Sequence, residues 1–178
     1  MEKTVEQRFA AAVVDVPDFP QHGVVFKDLK RVWQDPGLCR DVTAFIAAEA
    51  RNLGIQAVAG IESRGFLIGM PLAMALNVPF IMVRKAGKLP PPVLQQAYAL
   101  EYGEAVIELQ PDAVSPGMRV LVHDDVLATG GTAAACGALL EAAGARVMGW
   151  SFLIELGFLG GRERLGLEGQ ITRPLLSI

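Results

Sequence analysis

Apolar runs and helical patterns alternate along most of the chain. Four short apolar runs have the length of buried strands. These runs are QAVAGI at 56–61, PFIMV at 79–83, RVLVHD at 119–124 and RVMGWSFLIEL at 146–156. Two longer segments between them, GFLIGMPLAMAL at 65–76 and the alanine-rich 131–143, are predicted helices. Strands and helices that alternate in this way predict an α/β fold, with a mostly parallel sheet covered by helices on both faces.

Turn and capping residues delimit two further helices near the start of the chain. Residues 4–14 have an amphipathic pattern, which the turn region of Pro17 and Pro20 ends. Asp35 precedes a proline, the usual order at an N-cap and first helical position, and Gly54 stops the helical pattern that follows. We therefore expect two helices before the first core strand.

The segment 84–105 interrupts the alternation. RKAGKLPPPVLQQAYALEYGEA has three cations near its start, then three consecutive prolines, and then the alternation typical of a hairpin strand. A basic, proline-rich insertion in an α/β sheet is more often a functional loop than a packing element. We therefore expect a functional loop here.

The composition is that of a globular chain without a strong electrostatic bias. Apolar residues make up 52% and charged residues 20% of the 178 positions, which excludes disorder and allows one domain with a sizeable core. The net charge of −3 argues against general binding to nucleic acid or to an anionic membrane. Any anion site must therefore be local.

No segment has the pattern of an export signal or a membrane span. The charged start MEKTVEQRF lacks the apolar core of a signal peptide, and the apolar run 66–76 is interrupted by Pro71 and too short to span a bilayer. Cys39 and Cys136 lie in apolar, helix-like segments, which predicts buried free thiols in a reducing compartment. We expect a cytoplasmic protein that binds no membrane.

The strongest chemical signal is VLVHDDVLATGGT at 120–132. A buried strand ends in Asp124 and Asp125, and a turn then opens a helix, at the end of the strand where open parallel sheets bind ligands. Glycines let backbone N–H groups converge on an anion, and the helix N-terminus and threonine hydroxyls favour a phosphate. The turn consists of Ala128, Thr129, Gly130, Gly131 and Thr132. The two carboxylates suit ribose hydroxyls, or a Mg²⁺ bound to them.

Other interpretations of this turn are weaker. A capped helix with two solvated aspartates does not explain why the carboxylates adjoin the glycines. No G-x-G-x-x-G follows a strand, which argues against a dinucleotide site. The spacing G-x-x-x-x-G occurs at 60–65, but Phe66 stands where an NTPase loop has its lysine.

Together with this turn, further segments resemble the type I phosphoribosyltransferases, and the adenine phosphoribosyltransferases in particular. The matching segments are FPQHGVVFKD at 19–28, GIESRGF at 60–66, RKAGKLP at 84–90, ALEYGEA at 99–105 and LIELGFLGGRERL at 153–165. The resemblance covers nearly the whole chain and implies the type I phosphoribosyltransferase fold, a mostly parallel sheet with flanking helices and a β-hairpin hood. It also implies one domain over 1–178, with a base-lid segment at 1–35 and the hood at 84–105.

The resemblance assigns GIESRGF to the pyrophosphate of 5-phosphoribosyl-1-pyrophosphate (PRPP). Ser63, Arg64 and Gly65 would offer helix-start amides to this anion, and Arg64 would face the leaving group as a catalytic residue. The family also has a non-proline cis peptide bond here, which falls between Glu62 and Ser63. A helix cap with Arg64 in a surface ion pair is the alternative from the residues alone.

The cations of RKAGKLP are implied to act on the same pyrophosphate. Arg84, Lys85 and Lys88 would neutralise charge as it develops on the leaving group, while closure of the hood excludes water. A solvated basic loop is the alternative for any one of them.

The resemblance also assigns the base pocket and the catalytic carboxylate. Phe26 would stack on adenine, backbone groups of Val25 and Lys27 would bind its edge, and Val126, in place of a common leucine, would lie near the base. Glu101 would stabilise the proton on adenine N7 through a charge-assisted hydrogen bond. Without the resemblance, Phe26 is as readily a core residue and Glu101 a solvated strand residue.

The implied reaction transfers the phosphoribosyl group of PRPP to adenine and yields AMP and pyrophosphate. Mg²⁺ is the implied cofactor, held mainly by the substrate, with Asp124 or Asp125 in contact through water and no direct protein ligand expected. A homodimer is also implied. His123 departs from the aliphatic residue usual in the family, and we expect it to be a hydrogen-bonded neighbour of the site.

Two alternatives to this function stay open. One is an enzyme of the same fold that uses hypoxanthine or guanine. The other is a regulator that binds PRPP without catalysis, against which Glu101 and the RKAGKLP segment argue.

Overall fold

A seven-stranded sheet forms the centre of the protein. The structure, a computed structural model, describes residues 3–99, 104–166 and 172–178. Its strands are β1 Val14–Pro17, β2 Val25–Asp28, β3 Ala57–Ile61, β4 Phe80–Lys85, β5 Leu94–Ala99, β6 Glu104–Leu109, β7 Arg119–Leu127, β8 Arg146–Glu155 and β9 Leu176–Ser177. The strand order in the large sheet is β5-β6-β4-β3-β7-β8-β9. The neighbouring pairs β4–β3, β3–β7, β7–β8 and β8–β9 are parallel, whereas β6 pairs antiparallel with both β4 and β5.

Helices cover both faces of this sheet. They are α1 Val5–Ala12, α2 Lys30–Trp33, α3 Pro36–Ala50, α4 Gly65–Leu76, α5 Gly131–Ala142 and α6 Gly161–Arg164. One buried cluster joins α1 to α4 with one face of the strands, and a second joins α5 with the other face. None of the described helices is long and apolar enough to cross a membrane. The α/β architecture with a mostly parallel sheet and a hairpin confirms the predicted fold.

The two early helices begin and end largely as their caps predict. Asp35 caps α3 by accepting a hydrogen bond from the N–H of Leu38 at 2.9 Å. A short 3₁₀ turn follows α3 and ends at Gly54, whose φ of +60° is left-handed. The pattern over 4–14 overestimated the first helix, because the backbone of Val13 is already extended and leads into β1.

β1 and β2 form a separate two-stranded antiparallel sheet, which the sequence did not predict as a sheet. In the large sheet, the predicted strand 119–124 was too short. β7 continues to Leu127 because it keeps pairing with β8 as far as Glu155. Asp124 and Asp125 therefore lie among the last four residues of the paired strand β7 rather than beyond its end.

Two glycines bring α4 close to the sheet. A Cβ on Gly60 of β3 would lie 2.5 Å from the ring of Phe80, and one on Gly69 of α4 would lie 2.9 Å from it. The Phe80 ring thus packs where any side chain at Gly60 or Gly69 would collide with it. This packing fixes the start of α4 next to the carboxyl end of β3.

Candidate active site

The functional segments meet at one edge of the sheet. Because β3, β4, β7 and β8 are parallel, their carboxyl ends lie on the same side. The chain leaves this edge through 62–64, 86–93, 128–130 and 156–160. Three of these connections contain predicted site residues, so the structure gathers segments that are far apart in sequence.

The turn after β7 forms a cavity that is open at its mouth. Its lining is formed by Asp124, Val126, Leu127, Ala128, Thr129, Gly130, Gly131, Thr132, Ala133 and Phe152. Every predicted residue of the phosphate turn belongs to this lining. Gly130 has a φ of +76°, and a Cβ there would lie 2.7 Å from the carbonyl oxygen of Gly161. A glycine is therefore required both by the backbone conformation and by the close approach of α6.

The start of α5 offers backbone N–H groups to this cavity. Helix α5 begins at Gly131 without a side-chain cap, and the first helical bond recorded runs from the N–H of Ala134 to the carbonyl of Gly130 at 2.9 Å. The first amides of a helix have no partner within it, and they attract anions together with the helix dipole. The cavity therefore has the chemistry of a phosphate site.

The two aspartates differ in their surroundings. Asp125 is 4% exposed, whereas Asp124 keeps some contact with solvent in the cavity. Burial raises the pKa of Asp124 well above its ordinary value, and the neighbouring carboxyl of Asp125 adds to the rise. Burial also raises the pKa of Asp125, and the positive charge of Arg64 opposes this effect. The pair is thus costly to ionise unless a cation or hydroxyl donors arrive with the ligand.

Arg64 connects three parts of the site. Its Nε lies 2.8 Å from Asp125 Oδ2, which makes the two residues an ion pair. The Nε–H group is not aligned with this oxygen, so the contact is not a hydrogen bond. Its guanidinium carbon lies 4.8 Å from the ring centroid of Phe26, and its Nη1 donates to the Lys27 carbonyl at 3.5 Å. Arg64 therefore contacts Asp125 and the base segment.

The pyrophosphate loop itself has the predicted backbone. The peptide bond between Glu62 and Ser63 is cis. Helix α4 follows at Gly65 without a side-chain cap, with Arg64 in the N-cap position. A Cβ on Gly65 would lie 2.8 Å from the carbonyl oxygen of His123, so this loop packs directly on β7 beside the aspartates. Gly65 is thus in direct contact with Asp124, the first of the two aspartates that precede the phosphate turn.

The predicted base residues lie on β2. β2 pairs with β1 on one side, and the backbone groups on its other side have no strand partner. Such unpaired N–H and C=O groups are able to form hydrogen bonds with the edge of a base. Val25 is 48% exposed, and the Phe26 ring meets Phe19 edge-on with centroids 5.2 Å apart. The ammonium of Lys27 binds Asp15 at 2.7 Å, so its side chain is engaged while its carbonyl faces Arg64. Val126 lies in the lining of the phosphate cavity.

The cations of the hood loop are not equally available. Arg84 makes a bidentate pair with Glu62, from Nη2 to Oε1 at 2.9 Å and from Nε to Oε2 at 3.2 Å. Hydrogen bonds from Arg84 lower the pKa of Glu62, so this carboxylate stays ionised. Lys85 and Lys88 have exposed side chains. The charge of Arg84 is therefore already paired, whereas the two lysines project into solvent.

Glu101 lies outside the described residues. The last described residue before it is Ala99 at the end of β5, and its carbonyl oxygen would lie 3.6 Å from a Cβ on Gly131. The hairpin therefore passes next to the phosphate turn two residues before Glu101 in the chain. The guanidinium of Arg164 on α6 also lies near Gly131, at 3.6 Å from the same Cβ position.

The donor set fits a Mg²⁺ that the substrate holds. Within the ranges that the structure describes, no group of three or more histidine, cysteine, aspartate or glutamate residues could enclose a metal ion. Asp124 lines the cavity, whereas Asp125 is 4% exposed and one of its oxygens is paired with Arg64. Since Mg²⁺ usually keeps several waters and is bound largely by substrate phosphates, this pair suits contact with the ion through water.

Sequence reasoning missed the roles of two carboxylates, the partly buried Glu62 and the buried Glu108, and the identity of the partner of His123. Glu62 clamps Arg84, Glu108 accepts hydrogen bonds from the hood loop, and His123 Nδ1 lies 3.1 Å from Ser151 Oγ. The His123–Ser151 contact agrees with the expected hydrogen-bonded neighbour. A carboxylate inside an apolar run, as in VIEL around Glu108, is the one local signal that points to such a partner.

Known proteins share both this sequence and this fold. Residues 30–157 match the family described as phosphoribosyl transferase domain. An adenine phosphoribosyltransferase from Anaeromyxobacter sp. (strain Fw109-5) is 54% identical over 158 residues, which is 89% of this chain and 89% of that relative.

Solved structures extend the comparison to complexes. Adenine phosphoribosyltransferase from Saccharomyces cerevisiae, complexed with D-2,5-dideoxy-2,5-imino-altritol 1,6-bisphosphate and adenine, gives a TM-score of 0.90 at 38% identity, covering 97% of this chain and 98% of that one. The enzyme from Trypanosoma brucei, in complex with AMP, pyrophosphate and ribose-5-phosphate, gives a TM-score of 0.86 at 28% identity, covering 99% of this chain and 80% of that one. The chain therefore belongs to the phosphoribosyltransferase family, among the adenine phosphoribosyltransferases.

Proposed function

We propose that the protein transfers the 5-phosphoribosyl group of PRPP to adenine and releases AMP and pyrophosphate. The observation that carries this proposal is the end of β7, where Asp124 and Asp125 directly precede an uncapped helix start in a glycine turn. This arrangement matches one ligand that carries a diol and a phosphate on the same sugar. The family membership supplies the base.

The phosphate turn and the aspartates anchor the sugar. Amides of the turn bind the 5′-phosphate, with hydroxyls from Thr129 and Thr132 as further donors. Asp124 and Asp125 accept hydrogen bonds from the ribose hydroxyls, which offset the burial that raises the pKa of both carboxyls. These anchors act by positioning the sugar carbon C1′ for attack.

The pyrophosphate leaves toward the loop at Ser63–Gly65. Amides at the start of α4 bind it, and Lys85 and Lys88 approach it from the hood. Arg64 and Arg84 each exchange part of their present pairing, with Asp125 and Glu62, for contact with the leaving group. Asp124 or Asp125 would hold a substrate-bound Mg²⁺ through water, and the ion would supply positive charge beside the pyrophosphate. The proposal needs no direct protein ligand for the ion.

The chemical step exchanges one bond at C1′ for another. Adenine reacts as the tautomer that carries its proton on N7, so the free lone pair of N9 forms a bond to C1′ as the bond from C1′ to the pyrophosphate oxygen breaks. The Glu101 carboxylate accepts a hydrogen bond from N7–H and takes this proton as positive charge develops on the ring, which leaves N7 of AMP unprotonated. Phe26 stacks on the purine, and Val126 lies beside it.

Adenine is preferred because of the hydrogen-bond pattern of its edge. N6 is a donor and N1 an acceptor, which the backbone groups of Val25 and Lys27 can match. A 6-oxopurine reverses the pattern and leaves buried groups unpaired, at about 1–3 kcal/mol each. Hypoxanthine and guanine are therefore poorer substrates.

A coupled assay of AMP formation tests this function directly. Purified protein with PRPP and Mg²⁺ is expected to convert adenine at least tenfold better than hypoxanthine or guanine, roughly the effect of 1.4 kcal/mol. Equal turnover of the three purines would reject the base specificity. PRPP binding without any turnover would favour the regulator.

Glu101→Gln tests the catalytic carboxylate within the same assay. It is expected to lower kcat by roughly 10²- to 10⁴-fold, since general acid–base roles have this magnitude. Glu104→Gln removes an exposed carboxylate three positions along the chain and is the matched control, with turnover close to wild type. Unchanged turnover in Glu101→Gln would remove the assigned role.

Assembly and compartment are also part of the proposal. We infer a homodimer, because large apolar side chains on α4 and β4 are 45–71% exposed, namely Leu67, Met70, Met74 and Met82. A cytoplasmic location accords with PRPP and adenine as intracellular substrates and with the two free cysteines.

A further inference from the structure

Glu108 is a buried carboxylate that the proposed chemistry does not use. It lies on β6, the strand between β5 and β4, and is 1% exposed. Its neighbours across the sheet are Arg84 on β4 and Gln95 on β5. A charge buried to this degree is retained only where hydrogen bonds replace the lost water.

Three consecutive backbone amides supply those hydrogen bonds. Oε1 accepts from the N–H groups of Lys88 at 2.7 Å and Leu89 at 2.6 Å, and Oε2 accepts from the N–H of Gly87 at 3.0 Å. The Gln95 amide adds a fourth donor at 3.4 Å. Burial alone would raise the pKa of Glu108, but these hydrogen bonds outweigh it and the pKa is lowered. The carboxylate is therefore ionised at neutral pH.

The same loop is tied to the pyrophosphate loop from its other side. Arg84 Nη1 donates to the Lys88 carbonyl at 3.0 Å, while the rest of the guanidinium binds Glu62. Glu62 Oε2 also accepts from the N–H of Lys85 at 2.9 Å. The chain from Lys85 to Leu89 is thus held between two ionised carboxylates, Glu62 at the end of β3 and Glu108 on β6.

We propose that Glu108 is a positioning residue that fixes the backbone of Gly87–Leu89, so that Lys88 is presented to the pyrophosphate of PRPP. The inference rests on the proposed function and adds to it how the hood loop is organised. Because Glu108 occupies all three amides, they are not available to the ligand. The loop therefore acts on pyrophosphate through its cationic side chains, and those side chains depend on the path that Glu108 imposes.

Two variants of Glu108 and one control test the proposal. Glu108→Ala removes the acceptor, and Glu108→Gln keeps the shape but turns an NH₂ donor toward backbone donors. Both are expected to lower kcat/KM for PRPP by roughly 10- to 100-fold, as expected for a misplaced catalytic loop. The affinity for AMP, which lacks the pyrophosphate, is expected to stay within about twofold of wild type. Glu141→Gln, an exposed carboxylate near the end of α5, is expected to change neither quantity.

Two further measurements separate positioning from general damage. Formate is expected to restore part of the PRPP turnover of Glu108→Ala at constant ionic strength, because it can occupy the three vacated amides, whereas chloride is not. Hydrogen–deuterium exchange is expected to accelerate at the amides of Gly87–Leu89 in both variants and to stay unchanged in α5. If Glu108→Ala does not fold, Glu108→Gln decides the question.

The outcomes that overturn the inference differ from those that overturn the proposed function. Wild-type kcat/KM for PRPP in a folded variant, or equal losses of AMP and PRPP affinity, would reject the positioning role. A wild-type protein that makes no AMP would reject the proposed function, and the exchange data would then still show whether Glu108 fixes the loop.

Discussion

Arg64 uses three separate properties of a guanidinium group. Its charge faces Asp125, its guanidinium carbon lies over the Phe26 ring, and a further N–H reaches the Lys27 carbonyl. A lysine supplies the charge but neither the plane nor the fork of donors. We predict that Arg64→Lys lowers kcat/KM for adenine by roughly a hundredfold, because the aspartates and the base segment lose their common partner. Steady-state kinetics with adenine varied at saturating PRPP measures the effect.

The control for this substitution is Arg146→Lys. Arg146 is exposed at the first residue of β8, at the opposite edge of the sheet from the site. The same chemical change there is expected to leave the kinetics unaltered. Wild-type activity in Arg64→Lys would mean that charge alone is sufficient at this position.

Protonation of His123 at low pH is expected to lower the free energy of unfolding. His123 is fully buried, and burial lowers its pKa from 6.5 to about 4, against the opposing effect of its hydrogen bond with Ser151. A lowered pKa in the folded state means that stability is complete above pH 6.5 and is lost as the pH falls toward 4. Across this window the loss approaches roughly 3 kcal/mol for a shift of this size.

The variant His123→Leu isolates this contribution. Its free energy of unfolding, minus that of wild type, is expected to be nearly constant above pH 6.5 and to rise as the pH is lowered toward 4. Because leucine leaves the buried Ser151 hydroxyl without its His123 partner, a cost of about 1–3 kcal/mol that does not depend on pH is expected at pH 7, and the pH-dependent part of the difference is read on top of it. Urea unfolding at several pH values measures the difference, and a difference that stays flat down to pH 4 would contradict the prediction.

At the scale of elements, α6 packs directly against the phosphate turn. A Cβ on Gly161 would overlap the carbonyl oxygen of Ala128 and crowd Leu127. We predict that Gly161→Ala costs about 1–3 kcal/mol of unfolding free energy, the range for overpacking, and weakens PRPP binding by displacing the turn. Chemical denaturation and calorimetric titration measure the two effects.

Gly157→Ala is the comparison for this substitution. Gly157 lies four residues earlier in the same connection, and its Cβ would meet the Ile178 carbonyl at 3.5 Å, an ordinary contact. Little change is expected there. If both variants bind PRPP like wild type, the turn does not depend on α6.

Local patterns predicted the elements better than their ends. The apolar runs predicted the four central strands because buried parallel strands need no alternation. The extension of β7 to Leu127 comes from pairing with β8, and the pairing of β1 with β2 joins segments that each look irregular. Neither pairing leaves a signal within the strand itself, which is why the sequence did not predict them.

The candidate site was predictable where a single segment contains the chemistry. The turn 128–132 is contiguous, so its cavity follows from the sequence. The partners of Arg84 and of Lys88 were not predictable, because Glu62 and Glu108 reach them through the register of β3, β4 and β6. Register is a property of the folded sheet, and a shift by one residue would turn Glu108 to the other face.

At the scale of the whole molecule, the sheet separates two cores and leaves one helix incompletely covered. The cluster beneath α5 is enclosed by the hood strands, whereas α4 buries only its inner side. Leu67, Met70 and Met74 follow the spacing of one helical face on its outer side, with exposures of 49%, 48% and 71%. Contiguous apolar surface rich in methionine is typical of the core of a protein interface.

We predict that this face joins two copies of the chain and that charge on it separates them. Light scattering after gel filtration is expected to give wild type twice the 19.0 kDa chain mass, and Met70→Glu and Met74→Glu a mass that falls toward one chain. A glutamate buried without a partner at the contact costs several kcal/mol, enough to dissociate an ordinary dimer. Phe158→Glu, which places the same charge at a 73% exposed aromatic residue on another segment, is expected to stay dimeric. Dimers that persist in both methionine variants would place the interface elsewhere, since these side chains are exposed enough to leave the fold intact when changed.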